Sequence, residues 1–100
     1  MKKQPLPSKI RIGRTQYKVV LRDRIESDVM GRISYSRKTI EVATQQASGR
    51  PYPHVEIRNT FWHEIVHGVL QDMGSKLTDD ERFVNAFANR LSDAIDSARF

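Results

Sequence analysis

The residues of this chain best suited to chemistry form the run His63-Glu64-Ile65-Val66-His67. Residues four apart on an α-helix lie one turn apart on the same face, so both imidazoles can bind one ion. Zinc accepts imidazole nitrogens at about 2.0–2.1 Å, and a carboxylate beside the first histidine can take a proton from a water molecule on that ion. The run therefore predicts a zinc site with His63 and His67 as ligands and Glu64 as general base.

A catalytic zinc ion normally has three protein ligands and keeps one position for water. The metzincin pattern would place glycine at position 70 and histidine at position 73, where this chain has Leu70 and Met73, so that class is excluded. The main candidate for the third ligand is Glu81, with Asp80 and His54 as alternatives. Two histidines from one helix and a glutamate from the next form the gluzincin pattern.

Glu81 also has a purely structural interpretation. The run Thr78-Asp79-Asp80-Glu81 fits a capping box, in which Glu81 would bond back to the Thr78 backbone at the start of a helix. As a ligand, Glu81 would instead lie on the inward side of that helix and reach across to the histidines.

Apolar residues with helical spacing predict the two helices that carry these groups. The first helix is expected to have its N-cap at Asn59 and to end at Gly74. Its apolar stripe, flanked by the two histidines, consists of Trp62, Ile65, Val66, Val69, Leu70 and Met73. The second helix is expected to begin near Thr78, with an apolar face of Phe83, Val84, Phe87, Ala88, Leu91, Ala94 and Ile95.

The first half of the chain favours strands. Apolar and polar residues alternate over 10–12 and 17–21, and further strands are expected over 29–36 and 39–43, before a loop over 44–54. Strands followed by helices predict an α+β fold, a small antiparallel β-sheet packed against two helices.

Length and composition limit the possibilities. One hundred residues, 38% of them hydrophobic, suit one small domain; we assign residues 1–8 to a flexible N-terminal arm and residues 9–100 to that domain. The chain has no cysteine, which excludes disulfides and thiolate metal sites. No apolar run has the roughly 20 residues of a membrane-spanning helix, and no secretory signal is evident, so the cytoplasm is the expected compartment.

Charge is unevenly distributed along the chain. Residues 1–58 contain 13 Lys and Arg against 5 Asp and Glu, whereas residues 59–100 contain 4 against 7. A basic half is compatible with nucleic-acid binding, and also with a solvated sheet whose lysines and arginines prevent aggregation.

The segments from Phe61 to Leu70 and from Asp80 to Ala88 resemble the minimal zinc metallopeptidases of phages and prophages, related to the ImmA/IrrE group and more loosely to SprT-like domains. The resemblance implies one zinc ion per chain on His63, His67 and Glu81, with Glu64 as base and a protein or peptide as substrate. It also implies that the hairpin over 31–43 lies beside the active helix, where an exposed edge strand aligns an extended peptide.

Two functions are therefore expected. The first is a zinc metallopeptidase, in which Tyr35, Tyr52 or His54 is a candidate hydrogen-bond donor to the oxyanion. The alternative is a basic nucleic-acid- or protein-binding module whose zinc site is structural or vestigial.

Overall fold

Four strands precede two helices in the structure, a computed structural model that describes residues 6–26 and 29–99. The strands are β1 (Lys9–Ile12), β2 (Thr15–Arg22), β3 (Gly31–Ser34) and β4 (Thr39–Ala43). Helix α1 (His54–Met73), a short 3-10 helix (Lys76–Asp79) and helix α2 (Glu81–Ser97) follow. This order confirms the predicted α+β class.

The strands form one mixed sheet in the order β1-β2-β4-β3. β1 and β2 form an antiparallel hairpin, β3 and β4 form another, and β2 is parallel to β4. That parallel pair differs from the antiparallel sheet expected from the sequence. Burial explains the difference: Ile40 and Val42 are fully buried, so β4 takes a central position and β3 is left at the edge.

Helix α1 is the middle layer of the molecule. One core lies between the sheet and α1 and includes Ile12, Tyr17, Ile40, Val42, Ile57, Phe61 and Ile65. A second core lies between α1 and α2 and consists of Val66, Leu70, Val84 and Ala88. Helix α2 therefore packs on α1 rather than on the sheet.

Helix α1 begins earlier than predicted. Its first residue is His54, directly after Pro53, so the predicted N-cap at Asn59 is wrong. The additional turns bring Ile57, 4% exposed, onto the sheet, and this buried contact favours the longer helix. The predicted end is confirmed, since Gly74 follows the helix with a left-handed φ of 72°.

The buried side of α1 is also narrower at its C-terminal end than predicted. Val69 and Met73 are 40% and 69% exposed. Both lie beyond the area that the sheet and α2 cover, so these two predictions of inward residues are wrong.

Helix α2 begins three residues later than predicted. Thr78 lies in the 3-10 helix, and Asp80 is the N-cap of α2, accepting a hydrogen bond from the Phe83 N–H at 3.0 Å. The buried side is the row Val84, Ala88 and Ser92, whereas Phe87 and Ile95 are 49% and 42% exposed.

The predicted N-terminal arm falls partly outside the described residues, which begin at Leu6. Leu6 is 6% exposed and belongs to the core between the sheet and α1. The Ser8 carbonyl accepts a hydrogen bond from the Val19 N–H at 2.9 Å. Residues 6–8 are thus attached to the sheet. None of the helices in the described part of the chain is long and apolar enough to cross a membrane.

Candidate metal centre

Three side chains converge between the two helices. The Nε2 atom of His63 lies 3.1 Å from one carboxylate oxygen of Glu81, and the Nε2 atom of His67 lies 2.9 Å from the other. One ligand atom from each residue can be chosen so that all three lie within 4.8 Å of one another. A tetrahedral zinc ion with bonds of about 2.0–2.1 Å holds its ligand atoms about 3.4 Å apart. The three groups are thus spaced for one ion.

The helices position these groups. His63 and His67 are one turn apart on α1, and Glu81 is the first residue of α2. The contact of Val84 and Ala88 with α1 holds the start of α2 against the histidine-bearing turn. Glu81 lies three residues before Val84, on the same side of α2, so its carboxylate faces α1.

The alternatives for the third position lie elsewhere. Asp80 is occupied as the N-cap of α2. His54 is exposed at the start of α1, about 13 Å along the helix axis before His63 at 1.5 Å per residue. The capping box is not observed, because the Glu81 carboxylate faces the histidines and Asp80 caps the helix instead of Thr78.

Thr78 contacts His67 at two atoms. Its Oγ1 donates to the His67 backbone carbonyl at 3.3 Å and lies 3.1 Å from His67 Nδ1. A hydroxyl has a single proton to donate, and when it goes to the carbonyl, the Thr78 oxygen can accept from an Nδ1–H of the imidazole. That tautomer leaves Nε2 free to bind a metal ion, as metal-binding histidines require.

The contact between His67 and Glu81 is compatible with a shared cation. His67 Nε2 lies 2.9 Å from a Glu81 carboxylate oxygen, and either a proton on the imidazole or a metal ion between the two groups makes this approach favourable. Two imidazole nitrogens and one carboxylate form a donor set that zinc binds well. On donor chemistry and spacing, the residues therefore fit a zinc ion.

Glu64 is adjacent to this cluster and is buried, with 8% exposure. Burial raises the pKa of its carboxyl from 4.5 to about 7, and the nearby charge of Glu81 adds to the shift. Within the described part of the chain, no side chain donates a hydrogen bond to this carboxylate. A carboxyl group that titrates near neutrality can both take and return a proton.

The cluster lies in a cleft made of two adjoining cavities. One, of about 580 Å³, is lined by His67, Glu81 and Tyr35. The other, of about 510 Å³, extends towards the start of α1. The two cavities share Gly31, His63 and Glu64, so the metal centre is open to a molecule lying along the cleft.

Gly31 sets the width of this cleft. A Cβ atom at this position would lie 2.6 Å from Thr60 Cγ2, 3.2 Å from the Glu41 backbone oxygen and 3.4 Å from Glu64 Cγ. Only glycine lets the edge strand β3 approach α1 this closely beside Glu64.

The three candidate oxyanion donors occupy different places. Tyr35 lines the cavity of the metal centre, and its hydroxyl donates to the His67 carbonyl at 3.4 Å. Burial raises the pKa of this hydroxyl, which keeps it protonated. Tyr52 packs against the core between the sheet and α1, and His54 lies at the far end of α1. Tyr35 is the candidate that the fold brings to the cleft.

Sequence reasoning missed two residues of the site. For Thr78, the local sequence pattern predicts only a helix cap. In the structure, the chain turns back after α1, so that Thr78 contacts His67, which lies 11 residues before it. The signal for Gly31 is its place at the start of a strand, where a glycine often marks a close approach of the backbone to another element. No protein-family model, curated protein or solved structure matches this chain.

Proposed function

We propose that this protein is a zinc-dependent metallopeptidase that hydrolyses peptide bonds, with one zinc ion per chain held by His63, His67 and Glu81. The observation that carries the proposal is the convergence of both Nε2 atoms on the Glu81 carboxylate, at 3.1 and 2.9 Å. Zinc, when bound, supplies Lewis-acid activation of a water molecule and of the scissile carbonyl.

Glu64 is the general base in this proposal. Its carboxyl lines the cleft next to His63, and its pKa of about 7 suits the transfer of a proton from the attacking water to the leaving amine. Burial stabilises the neutral form of the carboxyl, so Glu64 can hold the proton taken from water until the leaving amine accepts it and the carboxylate is restored.

Tyr35 and the edge strand complete the proposed site. The Tyr35 hydroxyl is the group that donates a hydrogen bond to the oxyanion as the carbonyl is attacked. Strand β3 pairs with β4 on one side and is at the edge of the sheet on the other, where an extended peptide can add as a further strand.

We also propose kinship with the minimal metallopeptidases of phages and prophages, of the ImmA/IrrE group, and a cytoplasmic location. The support is the helix that carries His63-Glu64-x-x-His67 followed by a helix that begins with Glu81.

Metal content is the first test. Protein purified without a histidine tag or chelator is expected to contain about one zinc per chain by inductively coupled plasma mass spectrometry, as a single three-ligand site requires. Glu81→Ala should lower this content, whereas Glu56→Ala, an exposed glutamate of the same charge, should not. No zinc in the wild type, and none taken up from solution, would contradict the proposal.

The second test separates catalysis from metal binding. Glu64→Gln is expected to keep its zinc and to lose cleavage of a diverse peptide library followed by mass spectrometry. Cleavage by the variant at the wild-type rate would remove Glu64 from the mechanism.

A second candidate function is nucleic-acid binding through the face of the sheet opposite α1. Lys9, Arg11 and Lys18 alternate with core residues along β1 and β2 and are exposed on this face. Lys9 and Lys18 are direct cross-strand partners, an arrangement of like charges that costs stability unless an anion is bound there. In this function the zinc site is structural or vestigial.

A further inference from the structure

The cavity that extends from the metal centre towards the start of α1 has a distinctive chemistry. Its floor is one side of α1, from Glu56 to Glu64, and its walls are Asn85 and Asn89 of α2 and residues 29–31 before and within β3. Among the described residues that line it are two glutamates and three asparagines, and neither lysine nor arginine. In a chain of net charge +5, this cavity is thus locally acidic and rich in hydrogen-bonding groups.

One of these asparagines lacks a partner. The Oδ1 atom of Asn59 is buried, and no hydrogen-bond donor reaches it in the structure. A buried acceptor without a donor costs free energy that a ligand can recover by supplying an N–H group. Asn59 lines the cavity one turn after Glu56, so rotation of its side chain would turn this oxygen towards a ligand group bound at Glu56.

We infer that this cavity receives the side chain of a lysine or arginine next to the scissile bond, which makes the protein selective for basic residues in its substrate; this inference rests on the peptidase function proposed above. A lysine or arginine head group has only donors, which matches the Glu56 carboxylate and the Asn59 oxygen. Val29 and Met30, at the rim, contact the aliphatic stem of such a side chain.

The position of the cavity determines which substrate residue it binds. His63 and Glu64 belong to its wall and also to the wall of the cavity that contains the metal centre. A peptide held against β3 with its scissile carbonyl at that centre therefore directs a neighbouring side chain into the acidic cavity.

The test is a set of peptides that differ at one position beside the cleaved bond, with arginine, lysine, norleucine, glutamine or glutamate. We expect kcat/KM for arginine and lysine to exceed that for norleucine, which has the same stem without the charge, by about tenfold or more, as for one charge-assisted contact. Glu56→Lys should abolish this preference and favour glutamate. Asp23→Asn, which removes an acidic charge outside both cavities, should leave the preference unchanged.

A binding measurement separates this inference from the peptidase function. N-acetylarginine amide added to the wild-type protein in the presence of a chelator, which prevents zinc-dependent cleavage, should shift the side-chain amide NMR signals of Asn59, Asn85 and Asn89, and N-acetylnorleucine amide should not. Cleavage without a basic preference, or the absence of these shifts, would overturn the inference and leave the peptidase proposal intact. Shifts without cleavage of any peptide would support a site for basic side chains and contradict the peptidase function.

Discussion

The carboxyl group of Glu64 is buried, a position that lowers the stability of the fold when the group is ionised. Its side chain is 8% exposed, and burial together with Glu81 raises its pKa to about 7. The unfolded chain ionises this group near 4.5. Between these two values the folded protein holds a proton that the unfolded chain has released, so the contribution of Glu64 to stability decreases as the pH rises through this range.

Glu64→Gln should therefore stabilise the metal-free protein at pH 8 and have little effect at pH 5, where the folded-state carboxyl is already neutral. The expected gain at pH 8 in the free energy of unfolding is on the order of 3 kcal/mol, from 1.36 kcal/mol per unit of the pKa difference between the folded and unfolded states. Urea unfolding in the presence of a chelator at both pH values measures it. The exposed Glu56→Gln is the control, and an equal effect of Glu64→Gln at pH 5 and pH 8 would contradict the prediction.

Thr78 contributes to the site through His67 rather than through the ion. Because its hydroxyl donates to the His67 carbonyl and lies 3.1 Å from His67 Nδ1, it can hold the imidazole in the tautomer whose Nε2 binds a metal ion. Thr78→Val preserves the shape of the side chain and removes both hydrogen bonds.

We expect Thr78→Val to weaken zinc binding by about 10- to 100-fold, as for other partners of metal-binding histidines. Competition with a chromophoric chelator measures the affinity. Thr78→Ser retains the hydroxyl and should bind like the wild type. Wild-type affinity in the valine variant, with folding unchanged by circular dichroism, would show that Thr78 does not orient His67.

At the scale of elements, the cleft depends on how closely β3 lies against α1. Gly31 allows this contact, and the nearest obstacle to a larger residue is Thr60 Cγ2, 2.6 Å from the position of an added Cβ. Overpacking of such a contact costs about 1–3 kcal/mol, and here it would also displace the strand from the candidate metal centre.

Gly31→Ala should accordingly destabilise the fold by about 1–3 kcal/mol and reduce peptide cleavage further than the decrease in stability explains. Thr60→Ser removes the obstructing methyl group, so the double variant should recover part of both effects. Urea unfolding and kcat/KM on one peptide measure them. If Thr60→Ser produces no recovery, the contact between Gly31 and Thr60 does not set the width of the cleft.

At the scale of the whole molecule, the basic residues of the first half of the chain and the acidic residues of the second half lie largely on different surfaces. The outer face of the sheet carries Lys9, Arg11, Lys18, Arg22 and Arg32, of which Arg22 and Arg32 bind Glu41. Glu64 and Glu81 lie on the two helices, on the other side of the sheet. Lys9, Arg11 and Lys18 of this face line neither cavity of the proposed active site, whereas Arg32, on the edge strand, lines the cavity that contains the histidines.

If the second candidate function holds, duplex DNA binds this basic face and its affinity falls steeply with salt. Replacing Lys9, Arg11 and Lys18 with glutamine should reduce the slope of log K against log salt by about 2–3, since each phosphate that the protein neutralises adds about 0.9 to that slope. Fluorescence anisotropy at several salt concentrations measures the slope. The matched control replaces Lys76, Arg82 and Arg90; an equal effect of both triple variants would contradict binding at the sheet face.

The sequence by itself determined the features that depend on the spacing of nearby residues, namely the type of each element and the residues that share one of its faces. The helical repeat places His63 and His67 on one face whatever surrounds them, and alternation in 39–43 predicted the bounds of β4. The α+β class follows from the order of these patterns, because each period belongs to one type of element.

Only the tertiary structure decided which elements meet. Whether Glu81 caps its own helix or faces the histidines depends on the 3-10 turn and on the packing of Val84 against α1, and neither is visible in local spacing. Several contacts join residues that are distant in sequence: Thr78 contacts His67, Gly31 lies close to Thr60, and β4 pairs with both β2 and β3. These contacts form because the apolar faces of whole elements pack together. The periodicity of one segment shows which face is apolar but not which element covers it.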